Sequence, residues 1–248
     1  MDFLRRLSGR IARSVPVKSA YLRSARPLVS VTFDDFPKSA WVNGGPILAR
    51  YGARATYYTA GTFCGRTVDG TRFYDMDDLH ALASAGHEIG CHGFGHQPTP
   101  QLDESQLQAD VERNAQFLAP LLGGEAAASY AFPYGSISLR AKRFFARRYA
   151  SARGVHPGIN KGRVDFANLE AISLECRSWD QDAISRAIAR ARDGNAWIVF
   201  YTHEVCDRPS EYGTTPAMLA HVLDQVAAAG IAILPVREAA VMARGEAA

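Results

Sequence analysis

From about residue 28 onward, short apolar runs alternate along the chain with stretches in which apolar side chains recur every three or four positions. The runs are LVSVTF (28–33), RATYYTA (54–60), HEIGCH (87–92), ASYAF (128–132), YASARGV (149–155), LEAISL (169–174), AWIVFYTH (196–203) and IAILPV (231–236). That alternation predicts repeated strand–helix units, and eight strands of this kind suggest a barrel. Between them, Thr99 with Pro100 opens a helix running to about Leu122, which Gly123 and Gly124 close. Thr215 with Pro216 opens another that runs to Gly230, and residues 136–149 and 181–193 supply two more. There is no internal repeat, low-complexity tract or linker. The chain therefore divides into a basic arm, residues 1–27, and one domain, residues 28–248.

A length of 248 residues suits one large α/β domain, and 47% hydrophobic residues is ordinary for a sizeable core. Net charge is only +3, with no basic stripe interleaved with aromatics beyond the arm, so nucleic acid is not a partner the sequence points to. Cys64, Cys91, Cys176 and Cys206 form no C-x-x-C pair, which reads as reduced thiols in a cytoplasmic protein. The arm carries seven Lys and Arg against one Asp, without the apolar stretch of a secretory signal. Phe3, Leu4, Leu7 and Ile11 fall at helical spacing opposite Arg5, Arg6, Arg10 and Arg13. The preferred reading is a helix packed on its own domain; peripheral contact with an anionic membrane is the other. Nothing in the sequence fixes an oligomeric state.

The chemistry lies where polar residues fall relative to the strands. LVSVTF runs into Asp34 and Asp35, HEIGCH ends in His92, ASYAF leads to Pro133 and Tyr134, and AWIVFYTH ends in His203. In a parallel barrel the C-terminal ends of all strands open on one face, where active sites of this architecture lie. His92 and His96, in GCHGFGH, converge on one point if the chain turns between them; otherwise they are two surface histidines in a glycine-rich turn. Two adjacent carboxylates after an apolar strand are costly unless a positive charge sits nearby, and a divalent cation is the natural resolution. Successive side chains point in different directions, so one aspartate can bind the metal while the other faces a water molecule. Two imidazoles and one carboxylate leave coordination positions open, which is the mark of a catalytic site.

On TFDD (32–35), HGFGH (92–96), FPY (132–134) and YTH (201–203), taken in that order and separation, the chain resembles the polysaccharide deacetylases with a NodB-homology domain, carbohydrate esterase family four. The resemblance covers about residues 28–236. It implies a distorted (β/α) barrel of seven to eight parallel strands. It also implies Asp34 as general base, Asp35, His92 and His96 as ligands of a divalent metal, His203 as general acid, and the Tyr134 backbone N–H as an oxyanion donor. Zinc is the first expectation for the metal, with cobalt, manganese and nickel as alternatives. The implied reaction removes an N-acetyl group from an amino sugar, N-acetylglucosamine in an oligo- or polysaccharide or a glycolipid precursor, with O-acetyl esters a lesser expectation.

The chain departs from the family pattern twice. The arginine that stands two positions before the proline of the third motif and pairs with the catalytic aspartate is here Ala131. Arg153 and Arg177, both near strand ends, are candidates to replace it, and both read equally as ordinary surface arginines. The fourth motif, an acidic residue with a tryptophan, is blurred in LECRSWDQD. Glu175, Asp180 and Asp182 are all candidate carboxylates, and Trp179 either walls a sugar pocket or covers the core. These departures motivate one rival, a catalytically silent sugar-binding relative. A non-haem iron oxygenase would also use two histidines and a carboxylate, but it calls for an H-x-D pair on an all-β scaffold, which the sequence lacks. His80, His87, His156 and His221 read as structural or surface residues.

Overall fold

In the computed structural model, which describes residues 9–246, the eight apolar runs become eight strands of one parallel sheet. They are β1 (Leu28–Phe33), β2 (Thr56–Thr59), β3 (Glu88–Cys91), β4 (Ser129–Ala131), β5 (Ser151–Arg153), β6 (Ile172–Ser173), β7 (Trp197–Thr202) and β8 (Ala232–Ile233). Seven follow the order β6-β7-β1-β2-β3-β4-β5. The eighth, β8, pairs with Leu28 and Val29 at the start of β1, while β2 takes Thr32 and Phe33 further along the same strand. β1 and β7 pair over their whole length and are buried at every position, as strands at the centre of a covered parallel sheet must be.

The barrel is distorted because its two edge strands do not form a ladder with each other. Between β5 and β6 the chain from 154 to 171 fills the seam, held to β5 by a parallel bridge, Arg153 to Leu169, with the Gly154 N–H on Leu169 O at 3.1 Å, and to β7 by an antiparallel bridge, Asn160 to Trp197. A small antiparallel pair, Ser19–Tyr21 with Arg163–Asp165, ties the N-terminal segment to this filler. At the opposite end of the strands Glu88 is buried and fully partnered. It accepts from Ser129 Oγ, Thr56 Oγ and the Arg237 N–H, at 2.7, 2.8 and 2.8 Å.

The helices lie largely where the sequence puts them. Ser138, Asp180 and Thr215 cap Leu139–Arg148, Gln181–Gly194 and Pro216–Ala228 by accepting from the backbone N–H three residues on. One helix is shorter at both ends than the sequence suggests. Thr99–Gln101 is a separate 3₁₀ turn, and the helix proper is Glu104–Leu118. Asp103 accepts from the Gln106 N–H and the Gln106 side chain returns the bond to the Asp103 N–H, and this reciprocal cap fixes the start four residues later than the Thr-Pro pair suggests.

Of the arm, residues 9–14 are helical and Ala12 is buried against the domain. Lys142, itself buried, donates to Ala12 O and Val15 O at 2.8 Å each and pairs with Asp165 at 2.7 Å. The described part of the arm thus packs on its own domain; Phe3, Leu4, Arg5, Arg6 and Leu7 lie outside the described residues. Among the described residues no helix is long and apolar enough to cross a membrane.

Candidate metal centre and active site

The strand ends converge as the parallel arrangement requires. Asp34 continues the β1–β7 pairing, its N–H bonding Thr202 O at 2.9 Å, and then the chain turns sharply through Asp35 and Phe36, both in the left-handed region (φ 60° and 57°). His96 and Tyr134 share that conformation (φ 50° and 57°). Non-glycine residues adopt it at a cost, so its concentration in three loops around one point marks a site whose geometry the surrounding fold imposes.

That point is Asp35. His92 Nε2 stands 3.3 Å and His96 Nε2 2.9 Å from Asp35 Oδ1, and the three ligand atoms all lie within 4.8 Å of one another. Ligands held about 2.1 Å from a common ion at tetrahedral or octahedral angles are about 3.0–3.4 Å apart, so the spacing fits a divalent cation. The chemistry of the donors fits as well. His92 Nδ1 lies 2.8 Å from Ala131 O, a contact that requires its proton on Nδ1 and turns the Nε2 lone pair toward the centre. Asp35 Oδ1 is buried, yet neither imidazole meets it as an aligned hydrogen bond. A cation between these groups resolves their crowding.

Behind the centre lies Asp34, buried and paired with the fully buried guanidinium of Arg153. The rings of Tyr58 and Tyr201 lie 5.2 and 5.1 Å from the Arg153 Cζ. This arginine is no surface residue. It comes from β5 at the position that pairs with Ala131 on β4, so the neighbouring strand supplies the cation missing from the third motif. The other candidate, Arg177, serves a different carboxylate: its Nε donates to Glu175 Oε2 at 2.9 Å, and its guanidinium stacks on Tyr212 at 4.2 Å.

Glu175 resolves the ambiguity of the fourth motif. Its side chain is 1% exposed, and its Oε1 lies 3.4 Å from His203 Nδ1, which also approaches Tyr212 O at 3.2 Å. The remaining ring nitrogen, Nε2, lies 3.9 Å from Asp35 Oδ2. Burial opposes protonation of His203, but the carboxylates of Glu175, Asp34 and Asp35 around it outweigh burial and raise its pKa to about 9. Asp180 instead caps a helix, Asp182 is exposed in its first turn, and Trp179 packs against the main core.

Tyr134 sits at the rim, its side chain exposed and its ring 4.5 Å from that of His96. The turn it occupies is closed by the Gly135 and Ser136 N–H groups on Phe132 O and Pro133 O, which leaves the Tyr134 N–H outside those bonds. All six residues singled out in the sequence thus meet at one end of the barrel. The other histidines do not join them: His87, for example, is buried and accepts from the Ala55 N–H, burial lowering its pKa to about 4.

Residues 23–150, just over half of the chain, match the family model described as polysaccharide deacetylase. No curated protein matches the chain in sequence. Among solved structures, it is similar to a family 4 acetyl xylan esterase from Clostridium thermocellum in complex with a cobalt ion, at 18% identity and a TM-score of 0.62 over 89% of this chain and 93% of that one. It is similar to a family 4 carbohydrate esterase from Streptomyces lividans in complex with acetate, at 21% identity and a TM-score of 0.56 over 84% and 91%. A family 4 pseudoenzyme from Bacillus anthracis also matches, at 11% identity and a TM-score of 0.61 over 91% and 69%. At these identities the likenesses speak for the fold.

Proposed function

The chain belongs to the polysaccharide deacetylase family, and from that premise we propose that it is a metal-dependent hydrolase removing N-acetyl groups from an amino sugar, with N-acetylglucosamine in an oligo- or polysaccharide or a glycolipid precursor as the substrate class. The observation that carries the reading is the convergence of Asp35, His92 and His96 on one point, with the Arg153-paired carboxylate of Asp34 and the Glu175-paired imidazole of His203 beside it. A sugar-binding relative would need neither of the last two.

Asp35, His92 and His96 would hold the ion. When bound, a divalent cation supplies Lewis acidity and makes water acidic enough to serve as a nucleophile near neutral pH. Asp34, oriented by Arg153, takes the proton as water oxygen attacks the acetyl carbon. The Tyr134 N–H donates to the carbonyl oxygen as charge develops there. His203 enters protonated, because Glu175 and Asp34 favour its charged form, and gives its proton to the sugar nitrogen as the C–N bond breaks. The products are acetate and a free amine. Zinc heads the expected metals, with cobalt, manganese and nickel able to occupy the same donor set.

We place the protein in the cytoplasm, a reading supported by four cysteines that all stand free. Peripheral membrane contact through the arm is supported by the exposure of Arg10, Ile11 and Arg13 on the described helical residues. Incubating metal-loaded protein with N-acetylated chito-oligosaccharides and assaying acetate tests the function. Release that a chelator abolishes and zinc or cobalt restores supports it; no release with any of the four metals contradicts it.

A further inference from the structure

The Glu104–Leu118 helix presents Leu107, Val111 and Leu118 to the core, and two polar side chains one turn apart, Asp110 and Asn114, reach from it to the loops of the metal centre. Asp110 Oδ2 accepts from the Phe94 N–H at 3.0 Å and Oδ1 from the Gly95 N–H at 2.7 Å. Both amides lie between the two imidazoles, His92 and His96. The acceptor is a carboxylate and both oxygens are used, so this is a charge-assisted, two-point grip on the backbone that separates the ligands. Gly93 adds to the fit: its φ is +72°, and a Cβ there would stand 2.5 Å from Asp110 Oδ2. The carboxylate fills the space that a side chain at 93 would take. His96, two residues beyond Phe94, is held in the left-handed region, which a residue with a Cβ occupies when its surroundings force it. Asn114 extends the contact to β2, accepting from the Gly61 N–H at 3.0 Å and donating to Thr59 O at 2.9 Å.

We propose that Asp110 is a positioning residue for the metal centre, its two-point grip on the 94–95 backbone setting the angle at which both Nε2 atoms face Asp35. The proposal rests on Asp35, His92 and His96 being the metal ligands. Asp110 touches neither ion nor substrate. Its influence passes through the backbone, so loss of the grip loosens the ligand geometry and lowers metal affinity by about 10- to 100-fold, the range typical of groups that orient ligands.

The test is cobalt(II) titration of the metal-free full chain, followed by the visible ligand-field spectrum and by calorimetry, for wild type, Asp110→Asn, Asp110→Ala and His92→Ala. Asp110→Asn is nearly isosteric but turns an NH₂ toward one of the two backbone N–H groups. Binding weakened by at least about 10-fold in Asp110→Asn, with a shifted spectrum and an unchanged unfolding midpoint of the metal-free protein, supports the proposal, and Asp110→Ala strengthens the case where it folds. Wild-type affinity and spectrum in Asp110→Asn, or weakening that only follows a lowered midpoint, overturns it. His92→Ala separates this from failure of the ligand assignment: binding as tight as wild type in that variant shows the ion elsewhere and removes the proposal's basis, whereas lost binding there with normal binding in Asp110→Asn refutes the positioning role alone.

Discussion

Arg153 stands opposite Ala131 on the adjacent parallel strand, and from there its guanidinium closes on Asp34. Arg153 thus reaches Asp34 from the strand next to the one that carries the third motif. The pair is buried on both sides, and each partner is needed to offset the desolvation of the other.

Removing one partner should therefore be expensive. Arg153→Ala leaves the Asp34 carboxylate buried alone, and we expect a loss of about 3–5 kcal/mol in unfolding free energy, read from chemical denaturation, together with a steep fall in kcat. The double variant Arg153→Ala with Ala131→Arg should recover part of both. Recovery of neither would mean that the geometry of β5, and not merely the presence of a cation, is what Asp34 requires.

The two adjacent aspartates should separate cleanly. Asp34→Asn is expected to bind one equivalent of zinc with near-normal affinity while kcat falls by about 10²- to 10⁴-fold. Asp35→Asn should lose the metal itself. Elemental analysis after dialysis, set beside the kinetics, distinguishes the two, and an Asp34→Asn protein that loses metal would reverse the assignment.

These roles were unequally legible in the sequence. The strands could be read because each run is apolar and short, and the strand-end placement of Asp34, Asp35, His92 and His203 follows from chain direction alone. Arg153 could be shortlisted but not chosen, because only strand register brings it across from Ala131. Glu175 was one of three acids within eight residues, and its selection depends on the approach of β6 to β7, which local pattern does not encode. Asp110 carries no sequence signal at all: a carboxylate on an amphipathic helix reads as solvated until the loop it grips is in place. The open seam was equally hidden, since residues 154–171 fill it without a ladder to either edge strand.

His203 gives a pH signature. Its pKa is raised to about 9, so its protonated form, and the stability that form contributes, is complete below pH 6.5 and is lost as pH rises through about 9. As the proposed acid, it should set the alkaline limb of the rate profile, above the range of a free imidazole. Glu175→Gln removes its carboxylate partner while Asp34 and Asp35 remain, and the limb should move toward neutrality by about 1 unit or more. An unmoved limb would assign the proton donor elsewhere.

Metal binding should also be visible in stability. An ion that binds only the folded chain stabilises it by about 2.7 kcal/mol at a hundredfold excess over Kd. Thermal scans should show a rise on zinc addition that a chelator reverses, and no rise in His96→Ala. A zinc-dependent rise of equal size in that variant would place the ion away from the three residues.

The most direct measurement of the account as a whole is paired quantification of acetate and new free amine from an N-acetylated chito-oligosaccharide, using wild type and Asp35→Asn with and without zinc. The account predicts the two products in equal amounts, from the zinc-loaded wild type alone. Acetate release that persists in chelator or in Asp35→Asn, or the absence of both products from zinc-loaded wild type under conditions where it binds one equivalent of metal, would contradict it.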